Sequence, residues 1–468
     1  MSDTQAEQTH SATRSSPRAI LATLLMVSIM ATSVAVAAGA DGPVLLAGGL
    51  STALFVLLRA HSIPGNVWRT GGAMLVIAAV VLGFAEDPQA VAERGLRTTV
   101  AFLSIISAVS LLGARAEASQ SVRAVGKKLG AAARQGRYGP VAYLSQLMAG
   151  GLSLAGITVL SSAVAGDLGE DGSEAQKRLA FSAILRGFCG AIAWTPMMGN
   201  MALMLAIYGL DWPQILPLNL SMSLAMVTLS VLFEASRRDR IKRGPLPEGF
   251  AAMAARLFLV LTLVVPVMLG ATALLGLPVS GIIVLLSSFA AMLWAWVEGH
   301  PRDVAPPLLV LRDARDRFPG FASEALLFLG AGLASSAVAG VIPTDVAAIA
   351  GGLMLGSAGL FFLFCVTVIG GTAIAGLHPA LVALLLAHTL PPATTGIDPQ
   401  AHFAGLMLAW GLTTTVGPFT IIGLMLSRII GRSSTTVTVG WNLGLVLAIA
   451  PATALLLELL ARLRLALL

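Results

Sequence analysis

An apolar run near the carboxyl end of the chain is interrupted by polar residues and a Gly-Pro pair. Residues 410–426 read WGLTTTVGPFTIIGLML, so three threonines and Gly417-Pro418 lie inside an otherwise membrane-spanning stretch. Pro418 has no N–H and disfavours helix at the residue before it, so a helix breaks here and leaves backbone carbonyls unpaired. Hydrocarbon tolerates such backbone only where it is buried in protein or lines a cavity. The interruption therefore predicts a broken helix beside a solute site.

The same shape occurs once earlier, where the tripeptide Trp194-Thr195-Pro196 interrupts an apolar run. Each copy reads as an apolar segment with a small-residue break, a polar loop, a Pro-broken span, a short loop and a span with Asn near its start. The aligned positions are Phe181 with Phe403, Pro196 with Pro418 and, after one added residue, PLNL at 217–220 with GWNL at 440–443. Many transporters are built from internal repeats, so the pattern predicts a duplication.

The composition places the chain among polytopic membrane proteins. Of its 468 residues, 56% are hydrophobic and 11% are charged, with a mean hydropathy of +0.87, whereas about a quarter of the residues in soluble domains are charged. The net charge of +6 comes from residues in short loops between apolar runs, which is the membrane orientation pattern and argues against nucleic-acid binding. Cys189 and Cys365 lie far apart inside apolar runs, without metal-site spacing, and are interpreted as packing residues.

The amino-terminal part reads as a tail and four scaffold spans. Residues 1–19 are polar and are expected to form a cytoplasmic tail, followed by scaffold helices over residues 20–113. The first apolar run ends in small residues that resemble a cleavage site, so a removed signal peptide is the alternative to a retained span. The predicted spans are 20–38, 43–58, 71–85 and 98–113. Arginines follow the second span and acids follow the third, which predicts a cytoplasmic amino terminus.

A basic linker over residues 114–138 is expected in the cytoplasm and precedes the first repeat, residues 139–235. The arginines and lysines after that repeat are also expected there, so an even number of crossings lies between. Two solutions satisfy this count. In one, residues 140–166 form a re-entrant hairpin with Ser161-Ser162 near its tip, and residues 181–208 cross. In the other, residues 140–166 cross, and residues 181–208 form the hairpin with Thr195-Pro196 at the tip.

The second repeat favours the hairpin-first solution. Residues 236–345 read as further scaffold helices with a cytoplasmic connector, which makes the second repeat, residues 346–468, begin outside. It contains a hairpin over 346–390 with His378-Pro379 at the turn, then spans at 403–427 and 438–460. The two repeats are therefore inverted relative to one another. The predicted fold is an all-α polytopic membrane protein with about 11 transmembrane helices and two re-entrant hairpins, from about 20 residues per span.

This architecture resembles the ion transporter superfamily, which includes divalent-anion/sodium symporters, citrate permeases and arsenite permeases. The resemblance covers the chain from about residue 98 to its end and rests on the order of hairpin, broken helix and helix. In the divalent-anion symporters each hairpin tip carries Ser-Asn-Thr. The matching positions here read Leu160-Ser161-Ser162 and Leu377-His378-Pro379, without the asparagine. The resemblance implies a homodimer whose transport unit moves like an elevator.

The candidate ligands are neutral oxygen donors around the tips and breaks. They are Ser161, Ser162, Thr195, Thr413, Thr414 and Thr415, with the backbone around Pro196, Gly417 and Pro418. Such oxygens coordinate sodium or hydrogen-bond an anion, and a sodium ion is expected near Ser161 and Thr414. The competing interpretation is that these hydroxyls bond their own helix backbone, which is the commoner fate in spans. For residues 413–417 the functional interpretation is favoured.

Five further side chains have two interpretations each. Arg186 lies in an apolar half-helix, where it either attracts an anionic solute or extends to the cytoplasmic interface. His378 either exchanges protons at the hairpin tip or only caps the turn. Asn200, like Asn219 and Asn442, either bridges helices or contacts solute.

The predicted function is secondary active transport of a small anionic solute across a bacterial-type inner membrane, coupled to sodium or protons. The expected partners are the solute, the lipid bilayer and a second copy of the chain, with no nucleic acid and no cofactor besides a sodium ion. Export of an inorganic oxyanion is one alternative. Another is a membrane enzyme acting on a lipid-linked substrate, but such an enzyme needs paired acids or bases on a sizeable loop, and the loops here are short.

Overall fold

The regular structure of the chain is helical. The structure, a computed structural model, describes residues 17–40, 42–169, 172–237, 243–297, 305–342 and 344–467, and within these ranges it contains no strand. Most of the predicted tail, most of the basic residues after the first repeat and the start of the connector at 298–304 lie outside the described residues.

The helices are, in chain order, α1 (Pro17–Ala37), α2 (Gly42–Leu58), α3 (Gly65–Leu82), α4 (Pro88–Ala118), α5 (Gln120–Arg134), α6 (Tyr138–Leu168), α7 (Glu174–Ile192), α8 (Gly199–Tyr208), α9 (Trp212–Ser236), α10 (Phe250–Leu275), α11 (Val279–Val297), α12 (Pro306–Arg317), α13 (Ala322–Val341), α14 (Thr344–Gly352), α15 (Ala358–Ile374), α16 (Pro379–Thr389), α17 (Pro392–Thr395), α18 (Pro399–Thr414), α19 (Ile421–Ile430) and α20 (Trp441–Leu467). A π-helical turn, Thr436–Gly440, leads into α20.

Many of these helices suit a membrane. Over the described residues, nine helical stretches are long and apolar enough to cross one: α1, α3, α4, α6, α9, α10, α11, α12 with α13, and the stretch through α20. Five shorter apolar helices accompany them: α2, α8, α15, α16 and α19. The chain therefore has the make-up of a multi-pass helical membrane protein. The count of about 11 crossings stays a prediction, because length and composition do not distinguish a crossing from a hairpin.

Contacts divide the chain into two compact units. The first unit comprises Met1–Arg115 and Ala271–Val341, and the second comprises Ala116–Gly270 and Ile342–Leu468. Residues 250–270, which the sequence analysis assigned to the scaffold, belong to the second unit. Both predicted repeats lie in the second unit.

Small residues bring the helices of the first unit together. Gly95 of α4 and Gly332 of α13 face each other so closely that a Cβ added to either would lie less than 3 Å from the carbonyl oxygen of the other. The Thr99 hydroxyl donates to the Phe328 carbonyl at 3.0 Å, and the rings of Phe102 and Phe328 stack. This is the close packing by glycine and hydroxyl residues that holds helices together in membranes, where lipid removes most of the hydrophobic driving force.

Candidate functional site

Two stretches of the second unit have the same order of elements. Segment 1, residues 138–236, runs α6, then α7, a break at residues 193–198, α8 and α9. Segment 2, residues 358–467, runs α15 and α16, then α18, a break at residues 415–420, α19 and α20. The first interruption, break 1, contains Pro196, and the second, break 2, contains Gly417 and Pro418.

Helix α6 doubles back on itself at Ser153. Ser153 has φ 51° and ψ −138°, a non-helical conformation inside an otherwise continuous helix. The Arg134 guanidinium, just before α6, donates to the Asp167 carbonyl near its far end at 2.7 Å. A straight helix of 31 residues would hold its ends about 45 Å apart, so the second arm must return beside the first. The predicted tip at Ser161-Ser162 is therefore wrong: the turn lies about two helical turns earlier in the chain.

The corresponding turn in segment 2 lies between α15 and α16. Gly376 has φ 109°, a conformation that favours glycine, and the His378 ring accepts a hydrogen bond from the Ala380 N–H at 3.2 Å. Just outside the two helices, Gly351 of α14 lies directly against the Thr394 carbonyl of α17, so the two flanking helices meet. His378 caps α16 at this turn. Its role in proton exchange stays a prediction.

At break 1 the side chains of neighbouring helices satisfy the freed carbonyls. The Asn200 and Asn219 amides donate to the carbonyls of Ile192 and Ala193 at 3.3 and 2.7 Å. The Trp212 indole donates to the Trp194 carbonyl at 2.9 Å. These three carbonyls already have protein donors, so the asparagines bridge helices here, as one of the two interpretations predicted.

Thr195 ties break 1 to the turn of α6. Its hydroxyl donates to the Gly150 carbonyl at 2.6 Å, and a Cβ at Gly150 would lie 2.8 Å from the Trp194 ring. The Ser153 hydroxyl points at the Met198 sulfur at 3.8 Å. The doubled-back helix therefore places its turn directly on the break.

At break 2 the three threonine hydroxyls donate to their own helix. Thr413 bonds the Ala409 carbonyl at 2.7 Å, Thr414 the Trp410 carbonyl at 2.8 Å and Thr415 the Leu412 carbonyl at 2.6 Å. All three side chains are buried. This is the backbone bonding that the sequence analysis had set aside for these residues. It uses the hydroxyl hydrogens and leaves each oxygen able only to accept a hydrogen bond or to coordinate a cation.

The turn of segment 2 lies against break 2, as the turn of segment 1 lies against break 1. A Cβ at Gly417 would lie 3.6 Å from Ala373 and 3.7 Å from Pro379, on the two sides of the turn. The Thr413 methyl group lies close to Gly370 on α15. The Pro418 carbonyl accepts a hydrogen bond from the Ser434 hydroxyl.

The two broken helices run antiparallel to one another. At one end, Glu174 of α7 pairs with Arg432 after α19. In the middle, Gly411 of α18 lies against the Cys189 carbonyl of α7, so closely that an added Cβ would be 2.5 Å away. At the other end, the Tyr208 hydroxyl meets Nδ1 of His402 at 2.7 Å. As the residue number rises along segment 1, the number of its partner falls.

The returning arms cross between the segments. Thr158, on the second arm of α6, directs its hydroxyl at the Met425 sulfur of α19 at 3.2 Å. Reciprocally, α16 packs against α8. The α6 hairpin and the α15–α16 pair thus each contact the break of their own segment. Each also contacts the helix that follows the break of the other segment, which is α19 for α6 and α8 for α16.

Arg186 is the centre of a buried network. It is 3% exposed, and its guanidinium donates to the Asn442 side chain at 2.8 Å, the Tyr138 hydroxyl at 2.9 Å and the Trp441 carbonyl at 3.1 Å. It also pairs with the Glu234 carboxylate at 3.1 Å. Arg186 therefore does not extend to an interface. Sequence reasoning missed Glu234, although an acid near the end of one apolar helix and an arginine in another are a signal for such a pair.

A small cavity adjoins this network between the segments. It has a volume of about 10 Å³ and is lined by Arg186, Cys189, Ser230, Thr415 and five apolar side chains of α9, α18 and α20. Such a volume holds about one water molecule. A carboxylate-bearing solute would need the lining helices to move apart.

The remaining predicted site residues are placed as follows. Ser161 is fully buried on the returning arm of α6, and its hydroxyl has no hydrogen-bond partner among the described residues. Ser162 is exposed on the same arm. Within the described part of the chain, no group of three or more His, Cys, Asp and Glu side chains is placed to hold a metal. A sodium ion near Ser161 and Thr414 stays a prediction.

Comparison with models of known protein families and with curated proteins finds no match to this chain. The resemblance to the ion transporter superfamily therefore remains an expectation from architecture.

Proposed function

We propose that the chain is a secondary active transporter that moves a small anionic solute across the inner membrane by alternating access, driven by a sodium or proton gradient. Segments 1 and 2 form its inverted repeat, and α6 and the α15–α16 pair are its re-entrant hairpins. The amino terminus lies in the cytoplasm. The solute binds between the two turns and the two breaks, and the transporter acts as a homodimer.

The observation that carries this proposal is the antiparallel pairing of the two broken helices. Contacts at Glu174 with Arg432, Cys189 with Gly411 and Tyr208 with His402 pair residues 174–208 of segment 1 with residues 402–432 of segment 2 in opposite directions. An inverted repeat gives a transporter two alternative packings of nearly equal energy, one open to each side. A helical scaffold without transport has no need for two such breaks in oppositely directed helices.

Positive residues at one end of the second unit support the orientation. Arg134 contacts the Asp167 carbonyl, and its own carbonyl accepts from Gln176. Glu174, two residues away, pairs with Arg432. The basic linker and the basic loop after α19 therefore lie at the same end, as expected if both face the cytoplasm.

The chemistry around the breaks supports a cation and an anion together. At break 2 the hydroxyl oxygens of Thr413, Thr414 and Thr415 can only accept or coordinate, which suits sodium. The amino end of α8 has no side-chain cap at Met198, so the positive end of its helix dipole can attract an anion. The fixed charge of Arg186 lies level with Thr415 across the small cavity.

Thermal unfolding of the purified protein tests the proposal. Dicarboxylates, tricarboxylates, sulfate and arsenite are added in turn, each with sodium and with potassium and at two pH values. A ligand at about a hundred times its dissociation constant stabilises by about 2.7 kcal/mol, so one anion class should raise the unfolding temperature. The gain or loss of that shift with sodium or pH identifies the coupling ion.

Three variants locate the site. Thr414→Ala and Ser161→Ala should lose the shift, whereas Thr367→Ala should keep it. Thr367 is the matched control because its hydroxyl donates to the Leu363 carbonyl four residues earlier, as Thr414 does to Trp410, but on an exposed face. Stabilisation by lipid-linked sugars and by none of the anions would reject transport and favour the enzyme alternative.

A further inference from the structure

A second, larger cavity lies in the second unit, where α6 begins and α9 ends. Its volume is about 190 Å³ and its lining includes Arg137, Tyr138, Glu234 and Arg243. One water molecule needs about 10–15 Å³ of cavity volume. The cavity therefore has room for a small polyatomic ion and several waters.

The charges at this cavity are predominantly positive. The acidic residue in the cavity lining is Glu234. Both oxygens of its carboxylate form ion pairs, one with Arg178 at 2.7 Å and the other with Arg186 at 3.1 Å. Arg137 and Arg243 have no acidic partner among the described residues. Two unpaired guanidinium groups thus adjoin a carboxylate that is already neutralised.

The cavity is also preorganised. The Arg137 Nε donates to the Gly244 carbonyl at 2.6 Å, which holds the guanidinium beside Arg243 and leaves its terminal N–H groups available. The wall continues into Tyr138 and Gly139 in the first turn of α6, where a helix cannot satisfy its own N–H groups. The Tyr138 side chain is fixed by the hydrogen bond that its hydroxyl accepts from Arg186 at 2.9 Å.

We propose that this cavity binds a small divalent oxyanion of the phosphate class through Arg137 and Arg243. A guanidinium group binds phosphate oxygens with two parallel N–H···O bonds, and two such groups match a doubly charged ligand. The oxyanion is either free in solution or part of a lipid headgroup. The inference does not rest on the transport proposal, because a protein that transports nothing would still bind an anion here.

The test measures thermal unfolding of the full-length protein while inorganic phosphate replaces chloride at constant ionic strength. The wild type should show a saturable rise in unfolding temperature. Arg243→Gln and Arg137→Gln should each weaken apparent phosphate affinity by about tenfold or more, the usual effect of losing one charged hydrogen bond. Arg243 makes no hydrogen bond to a described residue, so its loss should not impair folding.

Arg428→Gln is the matched control, because Arg428 is an exposed arginine of the second unit away from the cavity. It should leave phosphate affinity unchanged. A parallel series in nanodiscs compares phosphatidic acid, whose headgroup is a phosphomonoester, with phosphatidylcholine. A phosphate response identifies a free oxyanion, and a response to phosphatidic acid that is lost in Arg243→Gln identifies a headgroup. If neither ligand stabilises the protein, or if Arg243→Gln and Arg137→Gln both respond like the wild type, the site does not exist.

Discussion

The Arg186 network shows how a charge is retained inside an apolar helix. A lone guanidinium at that depth costs several kcal/mol, and here it is offset by a carboxylate, an amide, a hydroxyl and a carbonyl. Its partners lie in α6, α9 and α20, so the side chain joins segment 1 to segment 2. The free-energy cost of burying the Arg186 guanidinium is offset only when the two segments pack in this way. Arg186 therefore helps to determine how the two segments pair.

Removing Arg186 should therefore destabilise the protein strongly. Arg186→Leu leaves Glu234 buried with Arg178 alone, and we expect the free energy of unfolding to fall by about 3 kcal/mol, the lower end of the cost of breaking a buried ion pair. Denaturant titration of the purified protein measures the change. Arg432→Leu, which breaks the exposed pair with Glu174, is the control. An equal loss in both variants would mean that the buried network contributes nothing special.

The Glu174–Arg432 pair should give a small pH dependence. The hydrogen bond from Arg432 lowers the pKa of the Glu174 carboxyl below its usual value. A lowered folded-state pKa means that the pair stabilises at neutral pH and that this contribution disappears as the pH falls through the lowered pKa. The difference in unfolding temperature between the wild type and Glu174→Gln should thus vanish in acid. A difference that persists there would show that the charge of Glu174 is not responsible.

At the scale of the element, local chemistry and packing determine different features. The interruptions around Pro196 and Pro418 follow from the chain itself, because proline removes a donor wherever it stands. The turn at Ser153 does not. Several glycines make the stretch bendable at many points, and the reversal is fixed by the close approach of Gly150 to Trp194 and of Gly151 to Leu261. Such contacts are invisible before the chain is folded.

Because of the turn conformation at Ser153, the same serine-to-glycine substitution should have opposite effects on stability at positions 153 and 162. A non-glycine residue with φ 51° is strained, so Ser153→Gly should stabilise the protein by about 1 kcal/mol. The control, Ser162→Gly, lies on the helical returning arm and should destabilise it by about 0.5–1 kcal/mol. Denaturant titration compares the two. Destabilisation by both substitutions would argue that residue 153 is helical and that α6 does not turn there.

At the scale of the molecule, the second unit contains two segments with the same order of elements and oppositely directed broken helices. Composition predicted the class of protein, and the repeated pattern of breaks predicted where helices are interrupted. The satisfied carbonyls of break 1 and the Arg186–Glu234 pair were not predictable, because their partners come from distant parts of the chain. The hydroxyl oxygens of Thr413, Thr414 and Thr415 at break 2 can still accept a hydrogen bond or coordinate a cation. The helices that line the small cavity must move apart before a solute can enter.

Uptake by proteoliposomes shows whether the protein is a secondary active transporter. The protein is reconstituted and given each labelled anion class with and without an inward sodium or proton gradient. We expect one class to accumulate above equilibrium only with a gradient, Thr414→Ala to lower the rate by about tenfold, as for loss of one ligand worth about 1.4 kcal/mol, and Thr367→Ala to match the wild type. No uptake of any class, or equilibration that ignores both gradients, would contradict secondary active transport.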